Sequence, residues 1–270
     1  MNDSKNGPRR GTAVVTGAAR GFGREIARRL VARGHQVLIT DLDADAVAAA
    51  AAELGATGMA ADARVAADHR RVAAAAVELG PVSVWVNNAG VLRAGKAWEH
   101  SDDDVALMID ANLLGVVHGS RAAVGVMRAR GGHLLNIASM SAHGPVPGLA
   151  VYAATKSGVL NFSTSLQGDL DLARVPIRVH ALCPDAADTA MVRSEQASPD
   201  TAILFSGGGL LAPDAVADAA IDLLDGRRVV RSLPARRAAM ARTGAVLPRI
   251  GLPVLARLRA QGERRRAAGS

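Results

Sequence analysis

Residues 151–160 read VYAATKSGVL and hold the only tyrosine of this 270-residue chain, together with one of its three lysines. Arginines outnumber lysines by 29 to 3, so a lysine four positions after a lone tyrosine is a specific choice of residue. On a helix, side chains at i and i+4 share a face. A free tyrosine has a pKa of about 10 and is a poor base at neutral pH. An ammonium beside it favours the phenolate. Tyr152 and Lys156 could then exchange a proton with a substrate oxygen, which is general acid–base catalysis. Taken alone, a tyrosine on an Ala-rich helix reads as a packing residue with a wet hydroxyl.

A second group of candidates is TGAARGFG, residues 16–23, with glycines at Gly17, Gly21 and Gly23. Glycine accepts the positive φ of a tight turn and lets a phosphate approach the backbone. A helix starting here would offer free N–H groups and a positive dipole end to a pyrophosphate. The spacing is not GxGxxG, and three glycines alone also suit a turn without a ligand. Asp41 strengthens the dinucleotide reading, because an acid about 20 residues on can accept the ribose hydroxyls of NAD and repel the extra phosphate of NADP. Arg20 pulls toward NADP, since a guanidinium could pair with that phosphate. NAD is the expected cofactor and NADP the less favoured one. Asp62 is a candidate adenine contact, or a helix cap. Nothing in the sequence calls for a metal.

These residues need elements to hold them. TAVVTG (12–17) and HQVLIT (35–40) read as strands, and further strands are expected at 57–61, 82–87, 132–138, 176–183 and 228–232. Helical spacing places Ile26, Leu30 and Val31 on one face of 21–33. Further helices are expected at 44–55, 65–79, 102–129, 151–173 and 213–225. Alternation of this kind predicts an α/β fold, a Rossmann-like doubly wound parallel sheet of about seven strands covered by helices on both faces.

Composition agrees with one such domain over 1–233, followed by an Arg-rich extension over 234–270. Hydrophobic residues make up 49% of the chain and aromatics 2%, so the core must be aliphatic. A single cysteine, Cys183, forms no internal disulfide and fits a reducing compartment. No secretory signal or 18-residue apolar run is visible, so a soluble, cytoplasmic protein is expected. The net charge of +7 comes from residues 231–270, where ten arginines face one acid, Glu263. The body is nearly neutral. With few aromatics to stack bases, no nucleic-acid partner is expected.

The motifs together resemble the short-chain dehydrogenase/reductase (SDR) family. They are TGAARGFG, NNAG (87–90), Asn112 in MIDANLLGV, Ser139 in LLNIASMSA, and YAATK (152–156), in family order over roughly residues 10–230. The resemblance implies an NAD-dependent enzyme that interconverts a secondary alcohol and a ketone, with Tyr152 as general acid/base. It implies that Lys156 also holds the nicotinamide ribose, that Ser139 steadies the substrate oxygen, and that Asn112 anchors a water in a proton relay. Gly17, Arg20, Gly21, Phe22, Gly23, Asp41, Asp62, Asn88, Pro184 and Thr189 would line the cofactor with Tyr152 and Lys156. A homodimer or homotetramer through helices 102–129 and 151–173 is implied. The alternatives are an NADPH-dependent ketone reductase and a non-catalytic dinucleotide-binding regulator.

Three stretches need separate treatment. In CPDAADTAM (183–191), Asp185 stands where the family has glycine. Its carboxylate could favour oxidised nicotinamide by Coulomb attraction, or could sit in a turn facing solvent. Residues 190–212 occupy the family's lid position, and apolar side chains around Gly207 to Gly209 suit a mobile flap over an apolar alcohol or ketone. His143 could line the pocket or lie exposed. The tail over 234–268 is expected to be cut into short pieces by Pro234, Pro248 and Pro253. Its readings are packing on the body, a clasp over the active-site rim or a partner, and, less favoured, contact with an anionic membrane surface.

Overall fold

The structure is a computed structural model that describes residues 10–207 and 209–268. Residues 1–9, the last two residues and Gly208 of the triple glycine lie outside the described residues.

Seven strands form one parallel sheet. In chain order they are β1 (Thr12–Thr16), β2 (Gln36–Asp41), β3 (Thr57–Ala60), β4 (Val82–Asn87), β5 (Gly132–Ile137), β6 (Ile177–Pro184) and β7 (Val230–Leu233). Their spatial order is β3-β2-β1-β4-β5-β6-β7. The order reverses between β1 and β4. The crevice outside the carboxyl ends of the strands at such a switch point is where doubly wound sheets bind ligands.

Side chains alternate across the strands. Val15, Val86, Leu135 and Leu182 face α1 (Gly21–Ala32), α2 (Ala44–Leu54) and, later in the chain, a helix over Pro213–Leu224. Val14, Trp85, Leu134 and Val179 face the other layer, which includes α3 (Ala66–Leu79). Local signals set the boundaries. Asp43 caps α2 by accepting from the Ala46 N–H, and Gly55 ends it at φ 67.

The predicted helix over 102–129 is three pieces in line: α4 (Asp102–Ile109), a π turn (Asp110–Leu114) and α5 (Gly115–Met127). One extra residue in the turn lets Asn112 point inward, and its side chain is fully buried. After a 3-10 turn at Met140–His143 comes α6 (Ala150–Leu172), which carries Tyr152 and Lys156. Next come α7 (Ala190–Ser194), a 3-10 turn over Pro199–Phe205, and α8 (Pro213–Leu224).

The tail is more regular than its prolines predict. It forms α9 (Ala235–Val246) and α10 (Pro248–Ala268), with Pro253 inside α10. Proline removes one hydrogen bond from that turn. The helix continues because it packs along the Pro199–Phe205 turn, so closely that a side-chain carbon on Gly262 would overlap the Ala202 carbonyl. Among the described residues, no helix is long and apolar enough to cross a membrane.

Candidate active site

The turn between β1 and α1 is built for close approach. Gly17 and Gly21 have φ values of 63 and 60, which side-chain-bearing residues adopt at a cost. A carbon on Gly17 would lie 2.6 Å from Ala89, and one on Gly23 would lie 2.5 Å from the Asn88 side chain. The Asn88 amide donates to the carbonyls of Thr16 and Gly17, at 3.0 and 2.7 Å, and so staples the loop to the end of β4. Asp41 accepts from the Ala19 N–H at 3.1 Å with one oxygen and from the Leu42 N–H at 2.9 Å with the other. Each oxygen keeps a lone pair for a further donor. Arg20 is exposed at the helix N-cap and makes no side-chain cap bond, so its side chain leaves the first N–H groups of α1 uncapped. Phe22, in the first turn of α1, packs against the core. This cradle, closed to side chains but open to an anion, fits a dinucleotide pyrophosphate.

Asp62 forms an ion pair with Arg64 at 2.6 Å, which holds its carboxyl below the usual range. Thr189 caps α7. Its methyl carbon would lie 3.8 Å from a side-chain carbon on Gly21, so it faces the glycine loop across the crevice. Pro184 is buried at the end of β6.

Tyr152, Lys156, Ser139 and Asn112 meet beside this crevice. Ser139 lies close enough to Tyr152 to act on its hydroxyl, and its own hydroxyl accepts from the Ser141 N–H at 3.1 Å. The Lys156 ammonium lies 5.8 Å from the centre of the Tyr152 ring and donates to the Ile137 carbonyl at 3.0 Å. Asn112 clamps the backbone of Val91, accepting from its N–H at 2.8 Å and donating to its carbonyl at 2.9 Å. It also donates to the Thr155 hydroxyl at 3.3 Å. A carbon on Gly90 would lie 2.8 Å from the Asn112 side-chain oxygen, so the NNAG glycine lets Asn112 close up on this loop. The Asn112 side chain is thus occupied in positioning the loop after β4.

Burial sets the electrostatics. It pulls Lys156 down from its ordinary value to about 8. Burial pushes Tyr152 up, and the Ser139 hydrogen bond partly opposes it. The sequence leads one to expect a tyrosine lowered by its lysine. Here the ammonium approaches the ring face and bonds a carbonyl, and desolvation is the larger effect.

A family model for short chain dehydrogenases matches residues 11–200. The chain belongs to the short-chain dehydrogenase family. A solved short-chain dehydrogenase/reductase from Burkholderia phymatum in complex with NAD superposes with a TM-score of 0.80 at 28% identity, covering 87% of this chain and 92% of that one. A variant of actinorhodin polyketide ketoreductase with NADPH gives a TM-score of 0.72 at 33% identity, covering 79% and 90%. The probable oxidoreductase EphD of Mycobacterium tuberculosis is 32% identical over 91% of this chain, yet the match spans only 44% of that protein. The chain thus spans less than half the length of that curated relative.

This short-chain dehydrogenase departs from the expectation at Asp185. The carboxylate meets the Arg237 guanidinium of α9 at 2.6 Å, and only 13% of its side chain is exposed. It neither faces solvent nor stands free to attract a cationic ring, because its charge is already matched. Desolvation raises its pKa while Arg237 holds it back. His143 is also buried, bonded to Ser232 at 2.8 Å, with Arg242 at 3.4 Å on its other nitrogen.

The Arg-rich tail is a strap over the segment around Pro199–Phe205. Arg237 donates to the Ser206 hydroxyl, Arg265 to the Ser206 carbonyl, and Arg259 pairs with Asp200 at 2.9 Å. These contacts match the packing reading of the tail. Sequence inspection does not single out Arg237. The signal for it was present in two halves, an acid in an unusual place and a surplus of arginine downstream.

Proposed function

We propose that this short-chain dehydrogenase is an NAD-dependent oxidoreductase that interconverts a secondary alcohol and a ketone on an apolar substrate. The observation that carries the reading is the buried Lys156 ammonium 5.8 Å from the centre of the Tyr152 ring, with Ser139 beside the pair. Tyr152 moves the proton to or from the substrate oxygen, and Ser139 holds that oxygen as charge develops on it.

When bound, NAD supplies the hydride acceptor and NADH the donor. Gly17, Gly21, Gly23 and the N-terminus of α1 would hold the pyrophosphate. Asp41 would take the adenine ribose, with Asp62 beside the adenine and Asn88 supporting the loop. Lys156 would hold the nicotinamide ribose, and Pro184 and Thr189 would flank the ring. Bringing Tyr152 into the working range falls to the Lys156 ammonium and the positive charge of the oxidised cofactor, both acting in a dry site.

Asp41 favours NAD. The exposed Arg20 is the one observation favouring an NADPH-dependent ketone reductase. A non-catalytic dinucleotide binder would have no use for the proton apparatus. Assembly as a homodimer or homotetramer through α4–α5 and α6 is supported by exposed Ile109, Leu114 and Leu172 on those helices.

The test is NADH formation from NAD⁺ and a panel of secondary alcohols, with Tyr152→Phe run in parallel. Turnover by the wild type that falls to background in the variant is expected. Equal turnover by both proteins would remove Tyr152 from the mechanism. Tight NAD⁺ binding without turnover of any alcohol would favour the regulator.

A further inference from the structure

A cavity of about 550 Å³ lies between the turn after Ser139, the Pro199–Phe205 turn and helices α9 and α10. This is within the range of small-molecule sites. Its inner end is formed by Met140, next to Ser139 in the chain, and Asp185, next to Pro184. It therefore adjoins the place where the substrate oxygen would sit. Its outer wall is Ile203 and Leu204 of the lid segment and Met240 and Leu255 of the arm. The family model matches residues 11–200, and this wall lies beyond that stretch.

Three features indicate what the cavity holds. Its lining contains no aromatic side chain. Branched aliphatics and methionine conform to a flexible chain, whereas flat ring systems gain from aromatic faces. The buried charge at its inner end is cancelled, Asp185 against Arg237. Met240, Leu247 and Val254 on its wall are 52%, 50% and 40% exposed, which is apolar surface left for a ligand to cover.

We infer that this cavity receives a linear aliphatic chain attached to the reacting carbon, and that α9 and α10 set the chain length accepted. The inference rests on the alcohol/ketone reading of the Tyr152 site. The arginine strap fixes the arm against the lid segment before substrate arrives, so the chain enters a wall that is already formed.

Binding of 2-hexanol, 2-octanol and 2-decanol to the full-length protein with NAD⁺ can be followed by isothermal titration calorimetry. Affinity should rise roughly fourfold for each added methylene that is buried. Leu255→Trp, which fills the cavity, should flatten the series and weaken 2-decanol binding at least tenfold. Met240→Trp, on the facing helix, should do the same if Leu255→Trp does not fold. Equal affinity across the series, an unchanged series in both variants, or tighter binding of a fused-ring alcohol such as 2-decalol would overturn the inference. The readout is heat of binding, so it is separate from turnover. A steep series without NADH formation would sink the catalytic reading and leave the chain site standing.

Discussion

A carboxylate oxygen of Asp185, just past β6, and a guanidinium nitrogen of Arg237, on α9, lie 2.6 Å apart and mostly out of water. This pair ties the segment just past β6 to α9 of the C-terminal arm. Removing one partner strands the other charge. Asp185→Gly and Arg237→Met should each cost about 3 kcal/mol, the low end for breaking a buried pair, because Arg237 keeps some contact with solvent. The double variant should recover part of that loss. Urea midpoints of the four proteins check this, and additive losses would mean that the two residues act independently.

Asp41 supports the glycine loop by accepting from the Ala19 N–H, and on the proposed reading it takes the adenine ribose. Asp41→Ala should therefore narrow the preference for NAD over NADP by about tenfold, equivalent to about 1.4 kcal/mol. It should also lower stability slightly, since the Ala19 N–H loses its acceptor. The ratio of kcat/KM values for the two cofactors is the readout, and an unchanged ratio would move the discrimination elsewhere.

The imidazoles of His133 and His180 stack at 5.3 Å with ring nitrogens 3.0 Å apart. Burial holds both below the usual imidazole value, and for His133 the second ring adds to the effect. The buried His69 is lowered in the same way. Groups depressed in the fold bind fewer protons there than in the unfolded chain. Their contribution to stability is complete above about pH 6.5 and is lost as pH falls below it. Melting temperature should drop between pH 7.5 and 5. His133→Phe should reduce the slope, and a wild-type profile flat over this range would contradict the assignment.

Lys156 is pulled down to about 8 while Tyr152 is pushed up. Alcohol oxidation should therefore gain rate as pH rises through the alkaline side of neutrality, with an apparent pKa belonging to the pair. Lys156→Met should abolish that dependence along with most of the rate, about a hundredfold or more. The kcat/KM profile against pH, measured with NAD⁺, tests it. A variant that keeps the wild-type profile would assign the titration to another group.

Much of this is visible in the residues themselves. Alternating strands with aliphatic cores, glycines at forced turns and Asp43 as a cap are local signals, and local signals give local structure. Tyr152, Lys156 and Ser139 come together because i and i+4 share a helix face and because neighbouring strands end on one side of the sheet. The misses are long-range. Whether Asp185 is solvated depends on Arg237, which is remote in sequence. Whether Pro253 ends a helix depends on what that helix packs against. The π turn has no clear sequence mark beyond an asparagine where helices disfavour one.

That turn constrains the chain in one more way. An α-helix advances 100° per residue, at 3.6 residues per turn. The additional residue in Asp110–Leu114 is what lets α4 and α5 present different azimuths while Asn112 looks inward. Deleting any one residue there would turn the π turn into plain α-helix without unravelling it, and would rotate Met108 and its neighbours away from their packing partners relative to α5. Insertions and deletions in this helix should therefore be far less tolerated than substitutions, even at its solvent-facing positions.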